Sequence, residues 1–335
     1  MGAVFGLNYG WEHPLMMLRD RAGIIDISNF AKYHVEGEGA SDWLNSIFAN
    51  NMPKAIGRSC LAPLIAEEEF LIVGSGMAER YHARYFNNSN KPASVSFESK
   101  TVAMCGFNVA GPKSRDMLQR MTNASLATED FPFMRSQKIT LAGIELVALR
   151  VSFTGDLGWE LHCQTEDQQA LYDALLEAGK EFGAGPVGSR ALMSLRIEKG
   201  YGSWSREYSP EYWPQEVGLD GLCKMTKEFL NKQAAVENIS KPARENLVIF
   251  ALDEDAVSAS NADATGGEPV FKGDEPIGRI TSGGYGYTVG KSLALGFVKG
   301  AKAGDRVDVM VLGERHGATI LAEPPFDPKG EKLRA

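Results

Sequence analysis

An α+β body followed by a small all-β region is the fold class that the sequence predicts, and three patterns carry it. A unit of strand, glycine turn and helix occurs twice, at residues 35–44 and 109–118, with Val, Gly, Asp and Leu coinciding. Residues 138–149 read as a hairpin turning at Ala142-Gly143. Beyond a polar, proline-containing linker, Glu237 to Glu245, the pattern changes to short strands separated by glycine turns. At 335 residues and 44% hydrophobic, the chain can bury a large core and divide into two or three domains.

In chain order, Ala31–Val35 reads as a strand, Gly37 and Gly39 as a turn, and Ala40, Trp43, Leu44, Ile47 and Phe48 recur at helical spacing. Glu69–Val73 is a buried strand broken by Gly74-Ser75-Gly76, and residues 77–87 fit a helix. In the second copy of the unit Pro112 suits a helix first turn. Val151–Leu161 reads as two apolar half-strands hinged on Gly155-Asp156-Leu157-Gly158. Thr165-Glu166-Asp167-Gln168 forms a capping box for a helix with the stripe Leu171, Ala174, Leu175 and Ala178. Residues 189–199 make another helix, stopped by Gly200. Short strands such as Leu247–Leu252, Pro269–Phe271, Ile277–Ile280, Leu293–Val298 and Arg306–Leu312 make a small barrel or sandwich, and the glycines of Ser282–Tyr287 permit close backbone approach, though turn chemistry alone would also explain them.

Composition excludes several function classes. A net charge of −8 with no basic run argues against nucleic acid or an anionic membrane as partner. No apolar run approaches a membrane span and the start lacks a leader pattern, so a cytoplasmic protein is expected. Cys60, Cys105, Cys163 and Cys223 are scattered, as are the five histidines, so reduced thiols and no bound metal are expected. There is no Gly-x-Ser-x-Gly elbow, Walker loop or dinucleotide fingerprint; Gly183–Gly188 resembles the last superficially but follows a helix. The candidate reader is Glu160. Strand alternation places it with His162 on one face and Trp159 and Leu161 on the other. A carboxylate so placed can accept two N–H donors of a flat nitrogen heterocycle, or it is a solvated strand glutamate; the local pattern leaves both open.

The stretch Phe153-Thr154-Gly155-Asp156-Leu157-Gly158-Trp159-Glu160 resembles the Tyr-Thr-Gly-x-x-Gly-aromatic-Glu signature of the glycine-cleavage T-protein (aminomethyltransferase) family. Ala22–Ser28, Val109–Pro112, Leu195–Gly200 and Thr281–Tyr285 fall in that family's order. Gly6–Glu12, Ile27–Tyr33 and Gly290–Ala294 are similar in particular to the folate-binding C-terminal module of dimethylglycine and sarcosine dehydrogenases. The resemblance covers essentially the whole chain. It implies a three-domain cloverleaf of the aminomethyltransferase type: a folate-binding body of two interleaved α+β subdomains over residues 1–236 and a C-terminal β-barrel over 244–330.

By the same resemblance the cofactor is tetrahydrofolate, with Glu160 at the pterin's N–H edge, Phe153 beside the folate, Phe30 at an apolar pocket position, and Ile72 and Gly74 at backbone positions that approach the pterin. The implied function is capture of formaldehyde or an iminium from methylamine demethylation, giving 5,10-methylenetetrahydrofolate. A flavin dehydrogenase or other demethylating domain or subunit is the implied partner. A module of a trimethylamine N-oxide demethylase and a non-catalytic folate binder are the alternatives. Two departures matter. Leu192 stands where the T-protein has an arginine, leaving Arg190 or another cation for the folate's glutamate tail. The hairpin that bears the family's catalytic aspartate is missing between Ile65 and Glu69, so no catalytic residue is assigned, and the segment 14–21 is also short.

Overall fold

Strand β2 shows why the body has two layers. In β2 (Ala31–Glu36), Ala31, Tyr33 and Val35 point into one core with Trp43, Leu44 and Ile47 of α2 (Ala40–Ile47), while Lys32 and His34 fall on the opposite face. The computed structural model describes residues 14–59, 63–253 and 263–335. Gly6–Glu12, Cys60, Leu61 and Ala62 lie outside the described residues.

The first layer is an antiparallel sheet in the order β3-β4-β2-β5, with β3 (Leu64–Ala66), β4 (Glu69–Gly74) and β5 (Ser96–Ser99). The second is six-stranded, in the order β10-β1-β6-β9-β8-β7. It comprises β1 (Gly23–Asp26), β6 (Met104–Ala110), β7 (Ser136–Leu141), β8 (Ile144–Leu149), β9 (Gly158–Gln164) and β10 (Gly185–Pro186). Leu71 and Val73 of β4 meet Val147 and Leu149 of β8, so the sheets pack face to face. The helices are α1 (Pro14–Asp20), α3 (Glu79–Asn87), α4 (Ser114–Gln119), α5 (Gln168–Phe182), α6 (Ser189–Glu198), α7 (Lys232–Ile239) and α8 (Glu331–Arg334). Leu171 and Leu175 of α5 cover the outer face of the larger sheet against Phe107, Trp159 and Leu161.

The C-terminal region is a closed barrel in the order β11-β14-β13-β12-β15-β16. Its strands are β11 (Asn246–Leu252), β12 (Pro269–Lys272), β13 (Glu275–Gly286), β14 (Lys291–Val298), β15 (Arg306–Val311) and β16 (Glu314–Leu321). The α+β cloverleaf with a terminal barrel is thus the fold found.

Several local expectations are corrected. Ser282–Gly286 continues β13, bulged between Ile280 and Ser282, so of the two readings of its glycines close backbone approach is the one found and the turn is not. Gly283 is required there because a Cβ would lie 2.2 Å from the Ala264 carbonyl oxygen. The capping box does not form: the Thr165 hydroxyl donates to Val102 O at 2.8 Å, and residues 165–167 make a 3₁₀ turn ahead of α5. Pro112 precedes α4 rather than lying in its first turn, and the linker begins inside α7. The Ala142-Gly143 turn forms with positive φ at both residues, 52° and 82°, as a two-residue hairpin of primed type needs.

Val151–Leu157 is no half-strand. Its hydroxyls and carboxylate bond locally: Ser152 Oγ lies 2.8 Å from Thr154 Oγ1, which donates to Asp156 Oδ2 at 3.0 Å. Arg19 of α1 closes the loop by donating to Thr154 O at 2.8 Å and to the Asp156 carboxylate. Burial pushes the Asp156 carboxyl up to about 6 in spite of that guanidinium. A pKa raised above the unfolded value stabilises the fold at low pH, and the contribution is lost as pH rises through the folded pKa. The unfolding free energy of the wild type relative to Asp156→Asn should therefore fall by about 2 kcal/mol between about pH 4.5 and about pH 7.5 in urea titrations. A difference that grows with pH would mean that Arg19 keeps the carboxylate ionised.

Candidate functional site

Asn108 on β6 stands directly opposite Glu160 on β9, and Gly106 opposite His162. The alternation expected for β9 holds, with Trp159, Leu161 and Cys163 in the core under α5. Both faces are covered, so Glu160 is not a solvated strand residue: it is 9% exposed. Its Oε2 lies 3.3 Å from His162 Nε2. The amide of Asn108 donates to Trp159 O at 3.2 Å, and its Oδ1 and the Nδ1 of His162 are buried without hydrogen-bond partners among the described residues. Gly106 lets the imidazole sit close, since a Cβ there would be 2.9 Å from His162 Nδ1. Lys32 on β2 is fully buried and donates to the carbonyl oxygens of Ser28 and Phe30, both at 2.9 Å. Burial pushes its ammonium pKa down, and the fields of Cys105, Asp26 and Glu160 oppose the shift.

The other expected site residues take different places. Phe153 is half-buried and stacks on Tyr201 with centroids 6.1 Å apart. Phe30 packs with Ile27 and Leu192. The Ile72 side chain turns away into the core behind β2, leaving only its backbone toward the inter-sheet face. Gly74 ends β4, and a Cβ there would be 3.1 Å from the His82 ring, which Trp204 meets edge-on at 5.3 Å. Arg190 is exposed in the first turn of α6, and no described hydrogen bond or ion pair joins it to Glu160.

One cavity of about 280 Å³ follows Trp204 in the chain, walled by Ser205, Arg206, Ser209, Glu211, Tyr212, Arg279 and Thr281 among others. Arg279 is paired with Glu245 at 3.3 Å. Among the described residues Arg206 makes long bonds to neutral acceptors, 3.4 Å to Thr265 O and 3.5 Å to Ser282 Oγ. At the β3–β4 turn Glu67 is exposed, Glu68 accepts from Ser41 N at 2.8 Å, and Glu69 is held by His34 at 3.0 Å and Lys138 at 3.2 Å. None of these three carboxylates pairs with a residue of the Glu160 group. Asn108, Lys32, Tyr201 and Arg206 were missed in the sequence. The lone amide within the apolar run Cys105–Ala110 was a usable signal for Asn108, because a polar residue in a buried strand needs a partner.

The family model described as "GCVT N-terminal domain" matches residues 1–227, and "Glycine cleavage T-protein C-terminal barrel domain" matches 246–327. The chain belongs to the glycine-cleavage T-protein family. It is 32% identical over 336 residues to dimethylglycine dehydrogenase of Rattus norvegicus, covering 94% of this chain and 38% of that protein. It is 27% identical over 350 residues to the aminomethyltransferase of Thermotoga sp. (strain RQ2), covering 95% of this chain and 92% of that protein. The chain therefore spans well under half the length of the dehydrogenases it matches. The solved aminomethyltransferase T of Bartonella henselae superposes with a TM-score of 0.82 at 20% identity, covering 94% of this chain and 89% of that one, and shares the fold. Among the described residues no helix is long and apolar enough to cross a membrane.

In this T-protein-family chain the Glu160 wall fits a flat ring with adjacent N–H donors, because it offers a buried carboxylate and a second, unpartnered acceptor one strand away. An acceptor kept unpaired for a ligand costs stability without one. Asn108→Leu should leave the ligand-free unfolding free energy unchanged or raised, by up to about 1 kcal/mol, in denaturant titrations. Destabilisation by several times that amount would show that the amide is structural.

Proposed function

We propose that this chain is a tetrahydrofolate-dependent methylene transferase module, which takes a one-carbon unit released by demethylation of an N-methyl amine and yields 5,10-methylenetetrahydrofolate. The observation that carries the reading is the Asn108–Glu160 rung, a buried carboxylate facing an unsatisfied amide oxygen. Bound tetrahydrofolate would supply the two amine nucleophiles that take up the carbon. The protein's own contribution is position and exclusion of water. Glu160 and Asn108 Oδ1 accept from the pterin's N–H groups, while Lys32 supplies the positive charge that a buried carboxylate needs nearby. Phe153 on Tyr201 offers a flat apolar flank, Phe30 an apolar wall, and the backbone of Ile72 and Gly74 the far side.

For the anionic tail of the ligand, Arg206 is a better receptor than Arg190: both are exposed, but Arg206 borders a cavity, and its described hydrogen bonds are long ones to neutral acceptors. A flavin enzyme that oxidises the amine is the proposed partner, as a separate subunit or a fused domain, and dimethylglycine and sarcosine are the proposed carbon sources. The β3–β4 turn favours one second reading, a folate binder without catalysis, because its carboxylates are exposed or already engaged.

Calorimetry with tetrahydrofolate tests the pterin site. Glu160→Gln puts a donor against N–H groups, and loss of a charge-assisted bond of roughly 1.5–3 kcal/mol should weaken binding about ten- to a hundredfold. Unchanged affinity in a folded variant would sink the assignment. Arg206→Gln should weaken tetrahydrofolate and leave tetrahydropteroate, which lacks the glutamate, unaffected; equal effects on both would move the tail elsewhere. Methylenetetrahydrofolate formed from added formaldehyde faster than the uncatalysed condensation supports the transferase, and binding without acceleration selects the binder.

A further inference from the structure

On the face of the larger sheet away from Glu160, Cys105 of β6 and Cys163 of β9 occupy one rung. Their sulfurs are 3.2 Å apart as free thiols, and the residues are 2% and 1% exposed. We infer that Cys105 and Cys163 form a reversible site of oxidative modification, an intramolecular disulfide across β6 and β9 made by a hydroperoxide or a small-molecule disulfide.

The backbone admits the bond. Thr165 N donates to Ala103 O at 3.0 Å, which makes Met104–Gln164 a non-hydrogen-bonded pair and Cys105–Cys163 the hydrogen-bonded pair beside it. Cα atoms in such a pair are about 5.5 Å apart, inside the window of about 4.4–6.8 Å that a disulfide needs. Their Cβ atoms, however, lie at the wide end of cross-strand spacing, so the bond would be strained and readily reduced. The rung is second from the strand end, where Gln164 is exposed, so opening the Thr165–Ala103 contact and the Met104–Gln164 pair uncovers it.

The two thiols are also unlike. The hydrogen bond from Cys163 holds the Cys105 pKa down, with the Lys32 ammonium adding to the effect, whereas the same bond and burial push Cys163 up. With hydrogen peroxide, the Cys105 thiolate attacks one oxygen, the O–O bond breaks, and a sulfenic acid and water result once a proton is taken up. Cys163 then attacks that sulfur, loses its proton and expels a second water. Two thiols are oxidised and one peroxide is reduced. With a small disulfide, two exchange steps release two small thiols. The amine-oxidising flavin partner proposed above would release such a peroxide if O₂ reoxidised it; the thiol geometry itself does not depend on that reading.

The test uses the full chain, reduced, freed of reductant and given one equivalent of hydrogen peroxide or an excess of oxidised glutathione. Alkylation in denaturant and peptide mass mapping then locate the bonds. The expected result is loss of two of the chain's four alkylatable thiols, a peptide pair joining Cys105 to Cys163, and full recovery with dithiothreitol. In Cys163→Ser, which keeps a hydroxyl donor beside Cys105 but cannot form the disulfide, the same peroxide should leave a Cys105 sulfenic acid that dimedone traps. The inference is overturned if both thiols still alkylate after oxidant excess in a protein with unchanged circular dichroism, or if Cys60 or Cys223 supplies the bonded partner.

Discussion

The enclosed guanidinium of Arg19 is the point at which the separate parts of the chain are tied. It donates to Glu198 Oε2 of α6 at 2.7 Å, to Thr154 O and Asp156 in the loop before β9, and to Thr288 Oγ1 of the barrel at 3.2 Å, and it lies 3.5 Å over the Phe326 ring. A buried ion cluster of this kind adds little net stability over an apolar equivalent, but removing one member leaves charge stranded and costs about 3–5 kcal/mol. Its effect is therefore to make one arrangement of helix, loop and barrel much better than its neighbours. Phe153 sits in the loop so fixed, one residue before Thr154, and Glu160 begins the third rung of the strand that follows.

A second buried cluster repeats the device. Arg196, two residues before Glu198 on α6, donates to Glu207 at 3.0 Å and to Ser282 Oγ at 2.6 Å on β13. Glu207 in turn accepts from Thr281 Oγ1 at 2.6 Å. Because Tyr201, Trp204 and Arg206 lie on the segment between Arg196 and Glu207, the aromatic flank at Phe153 and the arginine-lined cavity are positioned by the same contacts that join α6 to the barrel. Folding energy and site geometry are here the same interactions, so variants at the clusters would move both together.

How far the site was legible depended on whether the signal was local. Alternation along β9 was enough to put Glu160 beside His162, because side chains on a strand point to opposite faces in turn. It was silent on what lies above that face. Leu71 and Val73 come from a strand nearly ninety positions earlier, Lys32 from farther still, and Asn108 from a rung register that only pairing defines. The loop at 151–157 was misread for the complementary reason: its apolar residues look like a strand, but its hydroxyls and Asp156 find partners in the loop itself and in Arg19.

By itself the sequence determined the α+β body, the terminal barrel, the family through its ordered motifs, and the carboxylate at Glu160, all of which are written in short-range periodicity, turn chemistry or contiguous residue patterns. The tertiary structure alone decided that Glu160 is buried, that Asn108 Oδ1 has no hydrogen-bond partner among the described residues, that Arg206 rather than Arg190 borders a cavity, and that Cys105 and Cys163 share a rung. Burial, hydrogen-bond satisfaction and sulfur contact are properties of pairs of residues far apart in the chain, and a one-dimensional pattern carries no term for such pairs.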